Sequence, residues 1–207
     1  MQMETKAHWE NVYRTKSHTG VSWYKPRLNR SLRLVSKIGL RPNDRIIDIG
    51  GGSSTLVDDL LDRGFEEISV LDISPAALEV SKQRLGEKAP KVKWIEADIT
   101  KIKLPPNHYD LWHDRAVFHF LTNRKERQKY IAVLASSLKA GGHLIVAAFN
   151  LEGPQKCSGL DVIRYSPETL QKELGGSFSL MSHVDEIHKT PFKNTQNFVY
   201  CHFKKKL

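Results

Sequence analysis

The chain has 207 residues, of which 40% are hydrophobic and 27% are charged, a balance that fits one globular domain. No apolar run approaches the roughly 18 residues of a membrane-spanning helix, and no apolar secretion signal follows the first residues, so we expect a cytoplasmic protein without a membrane partner. The net charge of +9 permits a nucleic-acid partner, but the charges are scattered along the chain and do not favour one.

An aromatic segment, residues 1–27, comes before the regular part of the chain. It predicts a helix followed by a loop, and we interpret it as an N-terminal cap on a single domain whose main body is residues 28–207. That body opens with a helix, because apolar residues recur at helical spacing from Leu28 to Ile38. Gly39 is expected to end this helix.

Strands and helices then alternate along the chain. The predicted strands span residues 45–49, 68–72, 92–96, 109–113 and 143–149, and residues 124–139 predict a helix before the last of them. We expect Ser53 or Ser54 to cap the helix after the first strand, and Ser74 to cap the helix after the second. This alternation predicts a parallel sheet with right-handed crossovers.

The last third of the chain has a different pattern. Ser166 and Pro167 open one more helix, and residues 177–188 and 196–203 then read as two strands joined by a turn. With these two, the predicted strands number seven. The fold class we predict is α/β, with a doubly wound, mainly parallel seven-stranded sheet and an antiparallel C-terminal strand.

Three consecutive glycines, Gly50–Gly52, follow the first predicted strand and precede a helix. Glycine lets the backbone turn tightly and approach a bound cofactor, and the helix N-terminus supplies free N–H groups. Asp72 ends the next strand, 22 residues after Gly50, at the position where an acidic residue binds ribose hydroxyls. The spacing therefore predicts a nucleoside at the carboxyl ends of the first two strands.

Asp48 and Thr55 indicate which nucleoside this is. The dinucleotide fingerprint requires a glycine at the position of Thr55. The carboxylate of Asp48 would repel a pyrophosphate and attract an ammonium or sulfonium group. S-adenosylmethionine carries both cations, so the residues favour it over a nicotinamide dinucleotide.

The segment Ile47–Ser53 resembles motif I of the class I S-adenosylmethionine-dependent methyltransferases, which have a seven-stranded Rossmann-like fold. By this resemblance, which covers residues 40–203, Asp72 is the ribose-binding acid and Asp98 contacts the adenine amino group. The resemblance implies S-adenosylmethionine as the cofactor. The residues expected to bind it are Asp48, Gly50, Gly51, Gly52, Asp72, Ile73, Ala97, Asp98, Ile99 and His113.

In this family the methyl acceptor sits beside the loop after the fourth strand, which begins here at His113. A histidine accepts a proton near neutral pH, and Asp114 could hold that histidine or bind a cationic acceptor. We therefore predict His113, Asp114 and His119 as catalytic residues. The alternative is that Asp114 forms a local ion pair with Arg115 and that both histidines only support the structure.

Aromatic residues of the cap segment are the second part of the predicted acceptor site. Rings that close over the cofactor would exclude water and bind cations through their faces, whereas the alternative is that they only pack the cap onto the sheet. Arg115 and Arg164 complete the predicted substrate pocket, although Arg164 also fits a plain surface connection. The aromatic candidates are Trp9, Tyr13, Trp23 and Tyr24.

The sequence thus predicts an enzyme that methylates a protein side chain or a small molecule. No Pro-Pro-Tyr signature follows the fourth strand, which argues against the adenine, cytosine and glutamine acceptors of the enzymes that carry it. The alternatives are an RNA methyltransferase, an inactive S-adenosylmethionine-binding regulatory protein and a nicotinamide oxidoreductase. The reaction requires no metal, and Cys157 and Cys201 form no metal-ligand pair. The sequence does not identify the acceptor or the oligomeric state.

Overall fold

The computed structural model describes residues 2–207, with the side chains described from Thr5 onward. The first residue of the predicted cap segment, Met1, lies outside this range. The helices are α1 (Gln2–Thr15), α2 (Asn29–Ile38), α3 (Leu56–Asp62), α4 (Pro75–Leu85), α5 (Arg124–Ser137) and α6 (Pro167–Leu174), and short 3-10 turns lie at His18–Gly20, Gly86–Lys91 and Phe118–Phe120.

The strands are β1 (Ile46–Ile49), β2 (Ile68–Asp72), β3 (Val92–Glu96), β4 (Tyr109–Arg115), β5 (Leu138–Phe149), β6 (Lys156–Cys157), β7 (Leu160–Asp161), β8 (Phe178–Lys189) and β9 (Thr195–Lys205). Seven of them form one sheet in the order β3-β2-β1-β4-β5-β9-β8. The pairs from β3 to β5 are parallel, and β9 runs antiparallel to both of its neighbours. The predicted fold class, including the antiparallel C-terminal strand, is therefore confirmed.

Two apolar clusters, one on each side of the sheet, form the core. Because successive residues of a strand point to opposite faces, Ile46 of β1 joins one cluster and Ile47 joins the other. The first cluster contains the buried residues of α2, α3 and α4, and the second contains those of α5 and α6. Helices thus cover both faces, as a doubly wound sheet requires.

The helix caps agree with the sequence at one site and differ at another. Ser74 caps α4 as predicted, accepting a hydrogen bond from the Ala77 backbone N–H at 3.2 Å. Before α3, however, the capping position is Thr55, whose side chain makes no capping bond. Ser54 accepts from the Leu56 N–H at 3.2 Å, so it supports the first turn from one residue further out, and Ser53 does not cap the helix.

Two local features differ from the expected element boundaries. α5 ends at Ser137, and β5 begins at Leu138 instead of His143, because Leu138 already pairs with Tyr109. The segment after β5, interpreted as a loop, contains the small hairpin β6–β7. Ser158 and Gly159 form its turn with φ of 51° and 80°, the left-handed conformation that two-residue hairpins prefer.

Membrane-spanning helices are absent from the described part of the chain, since no helix there combines the necessary length with sufficient apolar character.

The core assignment predicts a contrast between two isoleucines. Ile145 of β5 is fully buried, whereas Ile187 of β8 is 68% exposed. Ile145→Ala is expected to lower the free energy of unfolding by about 2–5 kcal/mol, since it leaves a cavity, and Ile187→Ala should change it by less than about 0.5 kcal/mol. Equilibrium urea denaturation measures both values. Equal values for the two variants would contradict the assignment.

Candidate functional site

The glycine loop connects β1 to α3 and is held close to β2. Gly50 donates a hydrogen bond from its N–H to the Leu71 carbonyl at 2.7 Å. Its φ of +65° lies in the left-handed region, which favours glycine. At Gly52 the constraint is close approach. A Cβ there would lie 2.4 Å from the Ala77 Cβ and 2.6 Å from Asp72 Oδ2. The loop thus brings its backbone against the end of β2, where the predicted ribose-binding acid is located.

Asp48 and His113 meet at the carboxyl ends of the adjacent strands β1 and β4. His113 Nδ1 lies 2.7 Å from Asp48 Oδ1, and its Nε2 lies 2.9 Å from the Ser31 hydroxyl oxygen of α2. Both side chains are almost completely buried. The second carboxylate oxygen, Asp48 Oδ2, is buried and has no hydrogen-bond partner within the described residues. The arrangement leaves Asp48 Oδ2 available to a ligand, while His113 holds the carboxylate in place through Oδ1.

Both nitrogens of His113 are thus engaged with other side chains. The histidine lines the smaller of two adjoining cavities, beside Asp48 and Gly50. This geometry does not support its predicted role as a general base, because neither nitrogen is free to take a proton from an acceptor. It supports a role in positioning the Asp48 carboxylate.

Asp72 ends β2 with both carboxylate oxygens bound to backbone N–H groups. Oδ2 accepts from Gly52 at 3.0 Å and Oδ1 accepts from Ser74 at 2.9 Å. Burial raises the pKa of Asp72 to about 6, partly offset by these hydrogen bonds. Each carboxylate oxygen accepts more than one hydrogen bond, so Asp72 keeps acceptor capacity for the hydroxyl groups of a ribose.

Asp98 lies in the turn after β3. Its Oδ1 accepts hydrogen bonds from the Thr100 N–H and hydroxyl at 2.9 and 2.7 Å, and Lys101 Nζ is 3.2 Å from Oδ2. Burial acts to raise the pKa of Asp98, but the bonds from Thr100 and the Lys101 charge outweigh it, so the pKa is lowered. The carboxylate is therefore ionised at neutral pH and available as an acceptor.

The larger cavity, of about 170 Å³, joins these acidic residues to the aromatic cap. Its lining includes predicted cofactor residues, namely Gly50, Asp72, Ile73, Ala97, Asp98 and Ile99. The same lining also includes Trp9, Tyr13, Trp23, Arg115, Val117, Phe120, Leu121, Glu126 and Cys157. A single cavity therefore brings a predicted nucleoside site and a predicted acceptor site together.

The aromatic cluster consists of Trp9, Tyr13, Trp23 and Phe120. The Trp9 ring meets those of Phe120 and Trp23 edge to face, with centroids 5.0 and 5.6 Å apart, within the range that favours aromatic pairs. Burial raises the pKa of the Tyr13 hydroxyl, which is consequently protonated at neutral pH. The cap segment thus forms a wall of this cavity. Tyr24 lines the smaller cavity instead and packs near His18, with ring centroids 6.2 Å apart.

Two charged residues of α1 hold this helix beside the cavity through contacts with other parts of the chain. Glu10 Oε2 accepts from the Ser74 hydroxyl at 2.7 Å and from the Ala76 N–H at 3.2 Å, at the N-terminus of α4. A carboxylate is favourable at this end of a helix. Lys6 adds an exposed ion pair with Glu96 at 2.6 Å. Sequence reasoning missed Glu10, since no local pattern relates it to a helix 64 residues away.

The geometry does not support the predicted catalytic role of Asp114. Its side chain is completely buried and accepts hydrogen bonds from the Tyr130 hydroxyl at 2.6 Å and from the Val117 and Phe118 N–H groups at 3.0 and 3.2 Å. Burial raises its pKa to about 6. Asp114 lines neither cavity and forms no ion pair with Arg115 among the described residues. It fixes the turn after β4.

His119 and Arg164 also lie outside both cavities. His119 is completely buried, and burial lowers its pKa to about 3, so it is neutral at physiological pH. Its Nδ1 accepts a 3.4 Å bond from the Phe149 N–H. Arg164 donates to the Leu151 carbonyl at 2.7 Å. These contacts indicate structural roles, because neither side chain reaches the site where an acceptor would bind.

Phe120, Cys157 and Glu126 are among the residues that line the larger cavity and were missing from the predicted site. Phe120 belongs to the loop after β4, but its place in the aromatic cluster depends on how α1 packs. Cys157 reaches the cavity through the β6–β7 hairpin, which the Ser158–Gly159 dipeptide could have indicated. Glu126 is on the first turn of α5, directly after the predicted acceptor loop, and its carboxylate has no hydrogen-bond or ion-pair partner among the described residues.

Comparisons with known proteins agree with this geometry. A family described as "Methyltransferase domain" matches residues 46–142, the span from β1 to β5 that contains the glycine loop. A solved structure of 1,6-didemethyltoxoflavin-N1-methyltransferase from Burkholderia thailandensis, with bound S-adenosylhomocysteine, superposes with a TM-score of 0.69 at 14% identity, covering 100% of this chain and 86% of that one.

Two curated relatives bear names of protein methyltransferases. The mouse "eEF1A lysine and N-terminal methyltransferase" is 26% identical over 144 residues, which are 67% of this chain and 20% of the relative. The chain thus spans about a fifth of that relative's length. The zebrafish (Danio rerio) "EEF1A lysine methyltransferase 2" is 24% identical over 195 residues, which are 84% of this chain and 82% of the relative.

Fold, site and family match define a Rossmann-like methyltransferase domain of class I. The match of residues 46–142 to the methyltransferase-domain family and the similar solved structure with bound S-adenosylhomocysteine support an S-adenosylmethionine-dependent methyltransferase whose cofactor is S-adenosylmethionine. The residues present fit this molecule. Asp48 Oδ2 is a buried acceptor without a hydrogen-bond partner among the described residues, and Asp72 and Asp98 provide further carboxylates in the lining of the larger cavity. A carboxylate at Asp48 does not suit a pyrophosphate.

The close approach at Gly52 predicts a glycine requirement. Gly52→Ala is expected to weaken binding of S-adenosylhomocysteine about 10- to 100-fold, since the new methyl group overpacks Ala77 and displaces Asp72. Isothermal titration calorimetry measures the change. Gly176→Ala is the matched control, because nothing lies within 4 Å of its Cβ position. Wild-type affinity in Gly52→Ala would refute the role of the loop.

Proposed function

We propose that this protein transfers the methyl group of S-adenosylmethionine to an amine, on a protein lysine side chain or on a small molecule. The observation that carries the proposal is the composition of the larger cavity, whose lining contains Glu126 and an aromatic cluster of four residues. A carboxylate and aromatic rings both attract a cationic amine.

The bound cofactor supplies a methyl group on a positively charged sulfur, already activated toward a nucleophile. The chain's own residues then have to orient the acceptor and exclude water. Trp9, Trp23 and Phe120 wall the cavity with apolar surface. Removal of the amine from water by this wall lowers the amine pKa. This desolvation opposes the attraction of the carboxylate and the rings for the charged form, and it increases the fraction in the neutral, nucleophilic form.

A separate general base is not part of the proposal. His119 and Asp114 line neither cavity, and both nitrogens of His113 have partners. Glu126 is half-buried and attracts the amine at the cavity wall. The proton that the amine must lose before attack passes to solvent.

A protein acceptor is our preferred version of this proposal. The names of the mouse and zebrafish relatives refer to eEF1A lysine methyltransferases. These names support a lysine amine of a protein as the class of acceptor, without identifying the protein. The curated matches also include a ubiquinone/menaquinone biosynthesis C-methyltransferase from Ectopseudomonas mendocina, 31% identical over 124 residues, so a small-molecule acceptor stays an alternative. Cytoplasmic location and residues 1–27 as a cap over the acceptor are parts of the same proposal.

Methyl transfer to fractionated cell lysate tests the acceptor class. Purified protein and S-adenosylmethionine with a labelled methyl group are incubated with separated protein, RNA and metabolite pools. We expect label on amine nitrogen in the protein pool, or in the metabolite pool if the acceptor is small. Label in RNA would refute the proposed class, and no label in any pool would favour a protein that only binds the cofactor. Asp72→Ala, expected to lose the ribose contacts, is the control.

The role of Glu126 predicts a selective effect on the acceptor. Glu126→Gln removes the charge while keeping the shape, so the KM for the labelled acceptor should rise about tenfold. The affinity for S-adenosylhomocysteine should stay unchanged, because the proposal assigns Glu126 to the acceptor. Steady-state kinetics and calorimetry measure the two quantities, with the exposed Glu152→Gln as the matched control. An unchanged KM would exclude Glu126 from acceptor recognition.

A further inference from the structure

Two buried polar atoms of opposite charge lie unpaired beside the glycine loop. Asp48 Oδ2 and Arg115 Nη2 both have no hydrogen-bond partner within the described residues. Asp48 and Arg115 line the same small cavity, which adjoins the larger one at Gly50. No ion pair joins the two groups in the part of the chain that the structure describes. Leaving a charged group buried and unpaired is costly, so each atom calls for a ligand group.

The remaining atoms of Arg115 are fully used by the protein. Its Nε donates to the Tyr200 hydroxyl at 2.9 Å, and Nη1 donates to the Trp23 carbonyl at 3.0 Å. The guanidinium carbon lies 4.8 Å from the centroid of the Phe198 ring. These three contacts fix the plane of the guanidinium, and Nη2 is the nitrogen without a partner among the described residues. A planar guanidinium held in this way is suited to a carboxylate.

Asp48 is held in the same manner from the other side. Its Oδ1 is engaged by His113, which the Ser31 hydroxyl supports in turn. The fold therefore anchors one atom of each charged group and leaves the other atom for a ligand. A ligand that satisfies both atoms has an ammonium group and a carboxylate group close together, as an α-amino acid does.

We propose that Arg115 is the carboxylate-binding residue for the amino-acid end of S-adenosylmethionine, with Asp48 facing the ammonium group of the same end. This assignment moves Arg115 from the predicted acceptor pocket to cofactor recognition. A carboxylate of the acceptor is the other source of the same chemistry. The shared small cavity with Asp48 favours the cofactor, since one zwitterion then satisfies both atoms.

The contact of Arg115 Nη1 with the Trp23 carbonyl adds a consequence for the cap. The guanidinium that takes the cofactor carboxylate also holds the loop that carries Trp23. Trp23 belongs to the aromatic cluster, with its centroid 5.6 Å from that of Trp9. Cofactor recognition and the wall of the acceptor site therefore share one side chain.

Binding of three ligands tests the proposal without any methyl transfer. S-adenosylhomocysteine carries both charged groups, its decarboxylated analogue lacks only the carboxylate, and 5′-methylthioadenosine lacks both. Isothermal titration calorimetry on the full chain compares wild type, Arg115→Met and Asp48→Asn. Arg164→Met is the matched control, because Arg164 lies outside both cavities and donates to the Leu151 carbonyl.

Wild type should bind S-adenosylhomocysteine about 10- to 100-fold more tightly than the decarboxylated analogue. Arg115→Met should remove most of this difference, by weakening only the ligand with the carboxylate. Asp48→Asn should weaken both ligands that carry the ammonium group, and neither variant should change the affinity for 5′-methylthioadenosine by more than about twofold. Arg164→Met should match wild type throughout.

Equal weakening of all three ligands by Arg115→Met would overturn the proposal, since Arg115 would then act only through the protein structure. Unchanged affinity for S-adenosylhomocysteine would also overturn it and leave an acceptor carboxylate as the partner. If Arg115→Met does not fold, wild type alone decides, because equal binding of the first two ligands excludes a carboxylate site. The measurement is independent of the proposed amine acceptor, so failure of either proposal is distinguishable from failure of the other.

Discussion

The site depends on a buried carboxylate at the end of β1. Asp48 is 2% exposed, and His113 of the neighbouring strand binds one of its oxygens. A buried charge is stable only when it is paired and hydrogen-bonded, and the histidine supplies half of that requirement. The second oxygen, Asp48 Oδ2, has no partner among the described residues and is available to a cationic ligand. Because Asp48 pairs with His113 across the parallel strands β1 and β4, the unpartnered carboxylate oxygen lies at the carboxyl edge of the sheet.

The topology explains why the other parts of the site collect at the same edge. In an open α/β sheet, ligands bind outside the carboxyl ends of the strands, where the strand order reverses. Here β1 lies between β2 and β4 in the sheet order. The glycines follow β1, and Asp72 and Arg115 are the last residues of β2 and β4. The antiparallel β9 adds Tyr200, which orients Arg115 from the far side.

The sequence predicted the fold and the cofactor end more completely than the acceptor end. Strand β1, the glycine loop and Asp72 lie close together in the sequence, so their spacing alone predicts this part of the site. The acceptor end is built from distant segments. Trp9 meets Phe120 only because α1 crosses the site, and Glu10 secures α1 on α4 through contacts across 64 residues. No periodicity within either segment encodes such contacts.

The polar residues at the end of β4 illustrate a second limit of sequence reasoning. His113, Asp114 and Arg115 are consecutive, so their side chains alternate between the two faces of the sheet. His113 and Arg115 reach the small cavity, whereas Asp114 points into the opposite core and binds Tyr130. The sequence predicted His113 and Asp114 as catalytic residues and Arg115 as part of the substrate pocket. The pleat of a strand instead divides the three residues into two that face the small cavity and one that closes a turn, and the same pleat places Asp48 and Arg115 in the lining of one cavity.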